Sequence, residues 1–229
     1  MDEQNISEVL KAYPGLEYDA TNKQFRGQIE AGNNDNYEVE IDISVFPEQF
    51  PLVCETSERI PRKADRHIYE DTGHFCFTTS AKESILLKNS VKTLPDFFRK
   101  ILIPFLQNNS YFEINKRYCQ GEYAHGLEGV IQAYQDILGV KDIQVIIHVL
   151  VDRVRGGKRR PNDLCYCGSR LKIKKCGDHY DLYKEFRLVD RRVIASDLRQ
   201  INEILKRLTR AHPPSVPEHQ RTLSTYRRR

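Results

Sequence analysis

Along the chain the spacing of apolar residues changes period several times, and each change predicts an element. Ile6, Val9 and Leu10 stand three and one apart, as on one face of a short helix within residues 5–12, and Pro14 and Gly15 end it. The period then falls to two. FRGQIEA at 25–31 is a first strand, NNDN a turn, and YEVEIDISV at 37–45 a half-buried second strand. FPEQFP interrupts with two prolines, and LVCET at 52–56 is a third short strand. Three strands joined by short connections predict an antiparallel meander.

No clear period runs from Arg59 to about Ser84. A structureless stretch of that length inside a compact domain is characteristic of a functional loop, and Tyr69, Phe75 and Phe77 argue against disorder. Helical spacing returns in LPDFFRKILIPFL, with Asp96 in the first turn behind Pro95 and with Pro104 expected to kink or end the helix. GLEGVIQAYQDILG puts Leu127, Val130, Ile131, Tyr134, Ile137 and Leu138 on one face, with Gly139 as a stop. VKDIQVIIHVLVDRV is ambiguous between strand and helix, its valines and isoleucines leaning toward a strand or toward a buried helix. Residues 181–208 read as one or two amphipathic helices, with Leu198, Ile201, Leu205 and Leu208 in line and Ser196 and Asp197 as candidate caps. The last eighteen residues hold three prolines and much charge and predict a mobile tail. The fold class that follows is α+β: an antiparallel meander flanked by helices, then a small module and C-terminal helices.

Composition narrows the class. At 39% hydrophobic and 30% charged, the 229 residues suit a globular protein with a moderate core. No apolar run approaches a membrane span, and the acidic N-terminus lacks the apolar stretch of a signal peptide, so the expected compartment is cytoplasmic. Net charge is only +4, yet Lys and Arg crowd residues 153–175 and the tail ends in Arg227, Arg228 and Arg229. Such stretches suit nucleic acid or an acidic protein surface, or are simply solvated. The basic residues lack the interleaved aromatics of a base-stacking surface, which argues against nucleic acid.

Three of the six cysteines, Cys165, Cys167 and Cys176, form C-x-C-x₈-C, with His179 following. Zinc takes four soft or borderline donors in a tetrahedron. The C-x-C pair places two thiolates on one turn, Gly168 and Ser169 let the chain reverse, and His179 can complete the set. The stretch is polar and basic and could not otherwise build a core, and it has no carboxylate ligand set, so the expected cofactor is structural Zn²⁺. The PND-L-C-x-C-GS start and K-x-KKC return resemble the SEC-C zinc module found at the C-terminus of the SecA translocase, which implies a small partner-docking element. That family places its fourth ligand directly after the third cysteine; here Gly177 stands there and His179 lies two positions later.

The remaining chemistry lies in DRHIYEDTGHFCF, residues 65–77. Cys76 between two phenylalanines reads either as a buried core thiol or as a displayed nucleophile. Cys54, in a strand-like run, and Cys119 read as core thiols. The order of a helix, a meander, F-P-x-x-F-P-x-V, a long loop with G-x-x-C and then helices resembles a ubiquitin-conjugating enzyme. Phe46, Pro47, Pro51 and Val53 match its Pro-rich segment, and Gly73 and Cys76 match its glycine and nucleophile. The resemblance spans about residues 1–140 and favours the nucleophile. The family's His-Pro-Asn is replaced by RHI, which brings His67 near the position of the oxyanion-stabilising Asn, and tryptophan is absent. These departures, with EYAHGLEGVIQAYQDILG, are similar to the bacterial conjugating-enzyme-like proteins of CBASS-type antiphage operons. That resemblance implies a catalytic pair of Cys76 and His67, with His74 as a second histidine and His125 a weaker one. It implies a thioester at Cys76 with the C-terminus of a protein partner, a CD-NTase-type cyclic-oligonucleotide synthase, and an upstream activating enzyme. The organisation it suggests is a conjugating-enzyme-like domain at 1–150, a basic linker at 151–162, a zinc module at 163–180, and a helical segment with a basic tail at 181–229. The competing reading is a non-catalytic scaffold of the same fold that docks partners through the zinc module.

Overall fold

A computed structural model describes residues 3–32, 34–119 and 126–211, with side chains up to 207. His125, the side chain of Leu208 and the tail from 212 lie outside the described residues. In chain order the elements are α1 (Glu3–Ala12), β1 (Leu16–Asp19), β2 (Gln24–Glu30), β3 (Asn36–Asp42), β4 (Leu52–Glu55), α2 (Ser80–Asn89), α3 (Leu94–Phe97), a π turn (Phe98–Leu102), α4 (Ile103–Asn115), α5 (Gly126–Leu138), α6 (Ile143–Val154), α7 (His179–Phe186) and α8 (Arg191–Ala211). The fold is α+β, with a four-stranded antiparallel sheet flanked by helices and followed by a Cys/His cluster.

The sheet runs β1-β2-β3-β4, a meander with one strand more than the alternation predicts. β1 escapes a periodicity test because it is a four-residue edge strand with only Leu16 buried. It is placed by a close approach: a Cβ on Gly27, whose φ is +125°, would stand 2.3 Å from the Gly15 carbonyl oxygen. Tyr37, Val39 and Ile41 of β3 point inward, in register with Ile29, Gly27 and Phe25 of β2. That face packs on Phe97, Phe98, Leu102 and Leu106, giving a first core between sheet and helix.

Pro104 does not end its helix. The turn before it widens to a π turn, in which the Ile103 N–H reaches the Phe98 carbonyl five residues back, and the helix continues to Asn115. The wider turn accommodates a residue that lacks an N–H and would crowd the carbonyl behind it. Thr93 starts the run with a capping box: its hydroxyl accepts from the Asp96 N–H at 3.2 Å, and the Asp96 carboxylate accepts from the Thr93 N–H at 3.3 Å. α2, which begins inside the stretch without period, is capped by Thr79, whose hydroxyl accepts from the Lys82 N–H. Its polar composition hides it, since Ala81 is its one buried residue.

The ambiguous VIIHVLV run is the helix α6. Asp142 caps it, accepting from the Gln144 N–H at 2.8 Å, Ile146, Val149 and Leu150 are buried at helical spacing, and His148 faces out. α5 and α6 bury their apolar faces in a second core with Tyr166, Ile173, Tyr183, Phe186 and Ile194, and Ala81 of α2 joins it. Residues 151–154 complete α6, and the basic segment beyond it is tied down where the Arg159 N–H donates to the Tyr183 hydroxyl at 3.2 Å. α7 and α8 are separate helices. Asp190 caps α8, its carboxylate accepting from the Arg192 N–H at 2.7 Å, so Ser196 and Asp197 lie within the helix and cap nothing. Among the described residues no helix is long and apolar enough to cross a membrane.

Candidate functional site

The long loop between β4 and α2 is folded by its own backbone. Ile68 and Phe75 form an antiparallel bridge, the Tyr69 N–H donates to the His74 carbonyl at 2.9 Å, and the Gly73 N–H donates to the Tyr69 carbonyl at 2.7 Å. Gly73 turns the chain at φ +76°, a conformation that favours glycine. The Cys76 N–H donates to the His67 carbonyl at 2.7 Å, so the two residues sit side by side. Phe75 is buried and stacks on Phe105 with centroids 4.6 Å apart, and Phe77 packs edge-on against Phe97 and Phe105. Alternation turns Cys76 away from those rings. It is half-buried and lines a cavity of about 500 Å³.

His67 lines the same cavity. Its backbone is left-handed at φ 53°, and its ring meets the edge of Tyr118 at 5.4 Å. The Tyr118 hydroxyl donates to the Asp65 carbonyl at 2.9 Å, which ties the loop to the chain beyond α4. His74 is not among the residues lining the cavity; its backbone bridges to Cys54 at the sheet edge. Cys54 is half-buried, and burial pushes its thiol up. Cys119 is exposed rather than a core thiol, because it lies past the end of α4 with no element packed over it among the described residues.

Two further residues of the cavity carry chemistry that the sequence did not mark. The Tyr69 side chain lines the cavity with Cys76; the nearby thiol, with burial, raises its pKa, so it remains an O–H donor at neutral pH. The hairpin register would have found it, since residues 67, 69 and 76 then share a face. The second is Asp197 of α8, which lines the cavity opposite the loop. Its carboxylate accepts from the Tyr134 hydroxyl at 2.7 Å, and burial pushes it up against the lowering effect of that bond. No local pattern marks Asp197, because its place depends on how α8 packs on α5 and α2.

The Cys/His cluster forms where the chain reverses beyond α6. The Cys165 N–H donates to the Leu171 carbonyl at 2.8 Å, closing the C-x-C turn, and Gly177 at φ 53° swings His179 back. The ligand atoms of Cys165, Cys167, Cys176 and His179 all lie within 4.8 Å of one another. His179 Nδ1 is 3.2 Å from Cys165 Sγ and 3.4 Å from Cys176 Sγ, and Cys167 Sγ is 3.5 Å from Cys176 Sγ. A tetrahedron with Zn–S of ~2.3 Å and Zn–N of ~2.0 Å has edges of about 3.5–3.8 Å, so these four donors are close enough to bind a metal ion and compatible with zinc. His179 Nε2 faces the Gly139 carbonyl at 3.3 Å, the kind of outer contact that fixes a ligating ring. Burial pushes Cys165 up to about 12, helped by Cys167 and Cys176. At Cys167 burial is outweighed by the Ser169 hydroxyl and N–H and by the neighbouring thiols, which bring it down to about 6.

The chain matches no family model, no curated protein and no solved structure.

Proposed function

We propose that this chain is a cysteine acyl carrier of the ubiquitin-conjugating type, with Cys76 as the nucleophile. The observation that carries the reading is a cavity that gathers a half-buried thiol, a phenol and a histidine beside it. A thiol packed in the core would not line an open cleft of about 500 Å³. In the reaction, Cys76 Sγ attacks the carbonyl of a donor thioester, the donor sulfur leaves as a thiolate, and the acyl group stays on Cys76. An amine or thiol then attacks that thioester, Cys76 leaves as a thiolate, and the proton of the incoming group passes to a base in the cleft. The Tyr69 O–H, which shares the cavity with Cys76, donates to the oxyanion that forms on the attacked carbonyl, and the His67 ring is the neighbouring proton acceptor or second donor. The acyl donor of this reading is the C-terminus of a protein partner, with a cyclic-oligonucleotide synthase of a CBASS-type operon as the first candidate and an activating enzyme upstream.

The same proposal gives the Cys165–Cys167–Cys176–His179 cluster a structural Zn²⁺. All four donors belong to the protein, which leaves no open position for a substrate. The ion would offset two of the three thiolate charges and fix the chain between α6 and α7.

The test is the intact mass of the protein co-expressed with its genomic neighbours, with and without reductant, beside Cys76→Ala. The expected result is an adduct removed by reductant or hydroxylamine and absent from the variant. No adduct in any sample, with Cys76 slow to alkylate in the folded protein, would favour the scaffold reading. A second expectation concerns Tyr69. Tyr69→Phe keeps the ring and removes one oxyanion donor, so acyl transfer from a small thioester to Cys76 should fall roughly 10²-fold with the fold unchanged. An unchanged transfer rate would remove Tyr69 from the mechanism.

A further inference from the structure

The Cys76 loop builds only one side of its cavity. Val130 of α5 and Ser196, Asp197 and Gln200 of α8 form the other, so the C-terminal helix is a wall of the cysteine cleft. Of the groups on that wall, Asp197 alone carries charge. It is half-buried, and the partner described for it is the neutral Tyr134 hydroxyl on Oδ2. A carboxylate offers about four lone-pair sites, so one hydroxyl leaves most of its accepting capacity unused. Among the described residues lining the cavity there is no Lys or Arg to take that capacity up, while Glu70 adds a second carboxylate at the loop side. Desolvation already penalises the Asp197 anion, and a cation entering the cleft would relieve that penalty.

We propose that Asp197 is the acceptor-binding residue of the cleft: it holds a primary ammonium group facing Cys76 and takes up its proton as the amine attacks the thioester. The inference rests on the acyl-carrier reading and adds to it a specificity for amines over hydroxyls, supplied by the C-terminal helix and not by the loop that bears the nucleophile. In the step, the bound ammonium gives one proton to the Asp197 carboxylate, the freed amine nitrogen forms a bond to the acyl carbon, the carbon–sulfur bond breaks with its electron pair on Cys76, and the second proton lost by nitrogen goes to the departing sulfur, which leaves as a thiol. Tyr134 holds Oδ2 in place, which leaves Oδ1 for the ammonium.

Two measurements on the full metal-loaded chain separate this inference from the reading beneath it. The first follows iodoacetamide labelling of Cys76, resolved by peptide mass, with n-butylammonium or uncharged n-butanol present. In the wild-type protein the ammonium should slow labelling several-fold and the alcohol should not. Asp197→Asn should abolish that protection, read as the ratio of labelling rates without and with the ammonium. Tyr134→Phe, which keeps the carboxylate, should retain it. Absence of protection in the wild type, equal protection in Asp197→Asn, or loss in both variants alike would overturn the inference. The second loads Cys76 from a short peptide thioester and compares discharge to n-butylamine with discharge to uncharged 2-mercaptoethanol. Asp197→Asn should lower the ratio of amine to thiol discharge roughly 10²-fold; an unchanged ratio would overturn the proton-accepting role. Failure of wild-type Cys76 to accept the acyl group at all would discard the carrier reading, while ammonium protection would still stand for the Asp197 subsite.

Discussion

Removing metal from the Cys165–Cys167–Cys176–His179 cluster should dissolve the second core and leave the sheet core folded. The cluster lies within the apolar packing of α5–α8. Tyr166, between two of the cysteines, is buried, and its hydroxyl donates to the Leu138 carbonyl at the end of α5 at 2.7 Å. His179 is both a candidate ligand and the first residue of α7, whose Tyr183 and Phe186 are buried in the same core. Without an ion, three thiols and an imidazole face one another within 4.8 Å, held only by hydrogen bonds such as that of His179 Nε2 with the Gly139 carbonyl. Structural zinc contributes ~10–16 kcal/mol in small peptide domains, as much as the whole stability of an ordinary domain. Because the thiols must lose protons to bind, the loss should also follow acidification. Hydrogen exchange read by mass spectrometry is the measurement, on chelated protein and on Cys176→Ser. Amides of α5–α8 should lose protection while those of β2 and β3 keep theirs. Unchanged protection throughout would mean that the core holds the cluster, and not the reverse. Since α8 forms one wall of the Cys76 cavity, the same treatment should speed alkylation of Cys76.

How far the sequence could be read depended on whether the determining contacts were local. β2 and β3 were legible because Phe25, Ile29, Tyr37, Val39 and Ile41 alternate into one core. The cluster was legible because cysteines that dense in a polar stretch have few other uses, and its four residues do converge. β1 was not, having only one buried residue, nor was α2, wedged between two cores with a mixed surface. In α6 the β-branched residues suggested a strand, and only the Asp142 cap and the three-and-four burial spacing reveal a helix. Pro104 signals a helix end, but a π turn, which no local preference announces, absorbs it. The candidate site divides in the same way. Cys76 and His67 could be named because they lie in one short stretch, whereas Tyr69 needed the hairpin register and Asp197 needed the packing of a helix from the other core. Periodicity reports which face of an element is buried, and says nothing of which elements meet across a cleft.

Arg66→Ala should be the most damaging loss of a charged side chain in the loop that carries Cys76. Arg66 is only 7% exposed, and its neighbour in sequence, His67, supplies the carbonyl that fixes the Cys76 N–H. Its guanidinium donates to Asn109 Oδ1 from Nε at 3.1 Å and from NH2 at 2.9 Å, lies over the Phe112 ring at 4.6 Å, and approaches the Glu113 carboxylate at 3.8 Å. Asn109 is itself 1% exposed, so truncation leaves its amide oxygen buried without a donor. Charge-assisted hydrogen bonds contribute ~1.5–3 kcal/mol, and a stranded buried acceptor costs a further ~1–3 kcal/mol, so a loss of about 3 kcal/mol is expected. Arg66→Lys should recover little of it, because a single ammonium cannot reproduce the planar fork over Phe112. Arg59 is the internal comparison. It also binds α4, through Glu113 at 2.8 Å, but its side chain is 29% exposed, so Arg59→Ala should cost only about 1 kcal/mol. Urea midpoints of the three variants decide the matter, with Cys76 alkylation as the local readout. If Arg66→Ala and Arg59→Ala shift the midpoint equally, burial is not what makes Arg66 hold the loop. If Arg66→Ala shifts it further and also speeds alkylation, the arginine is the anchor that keeps His67 and Cys76 side by side.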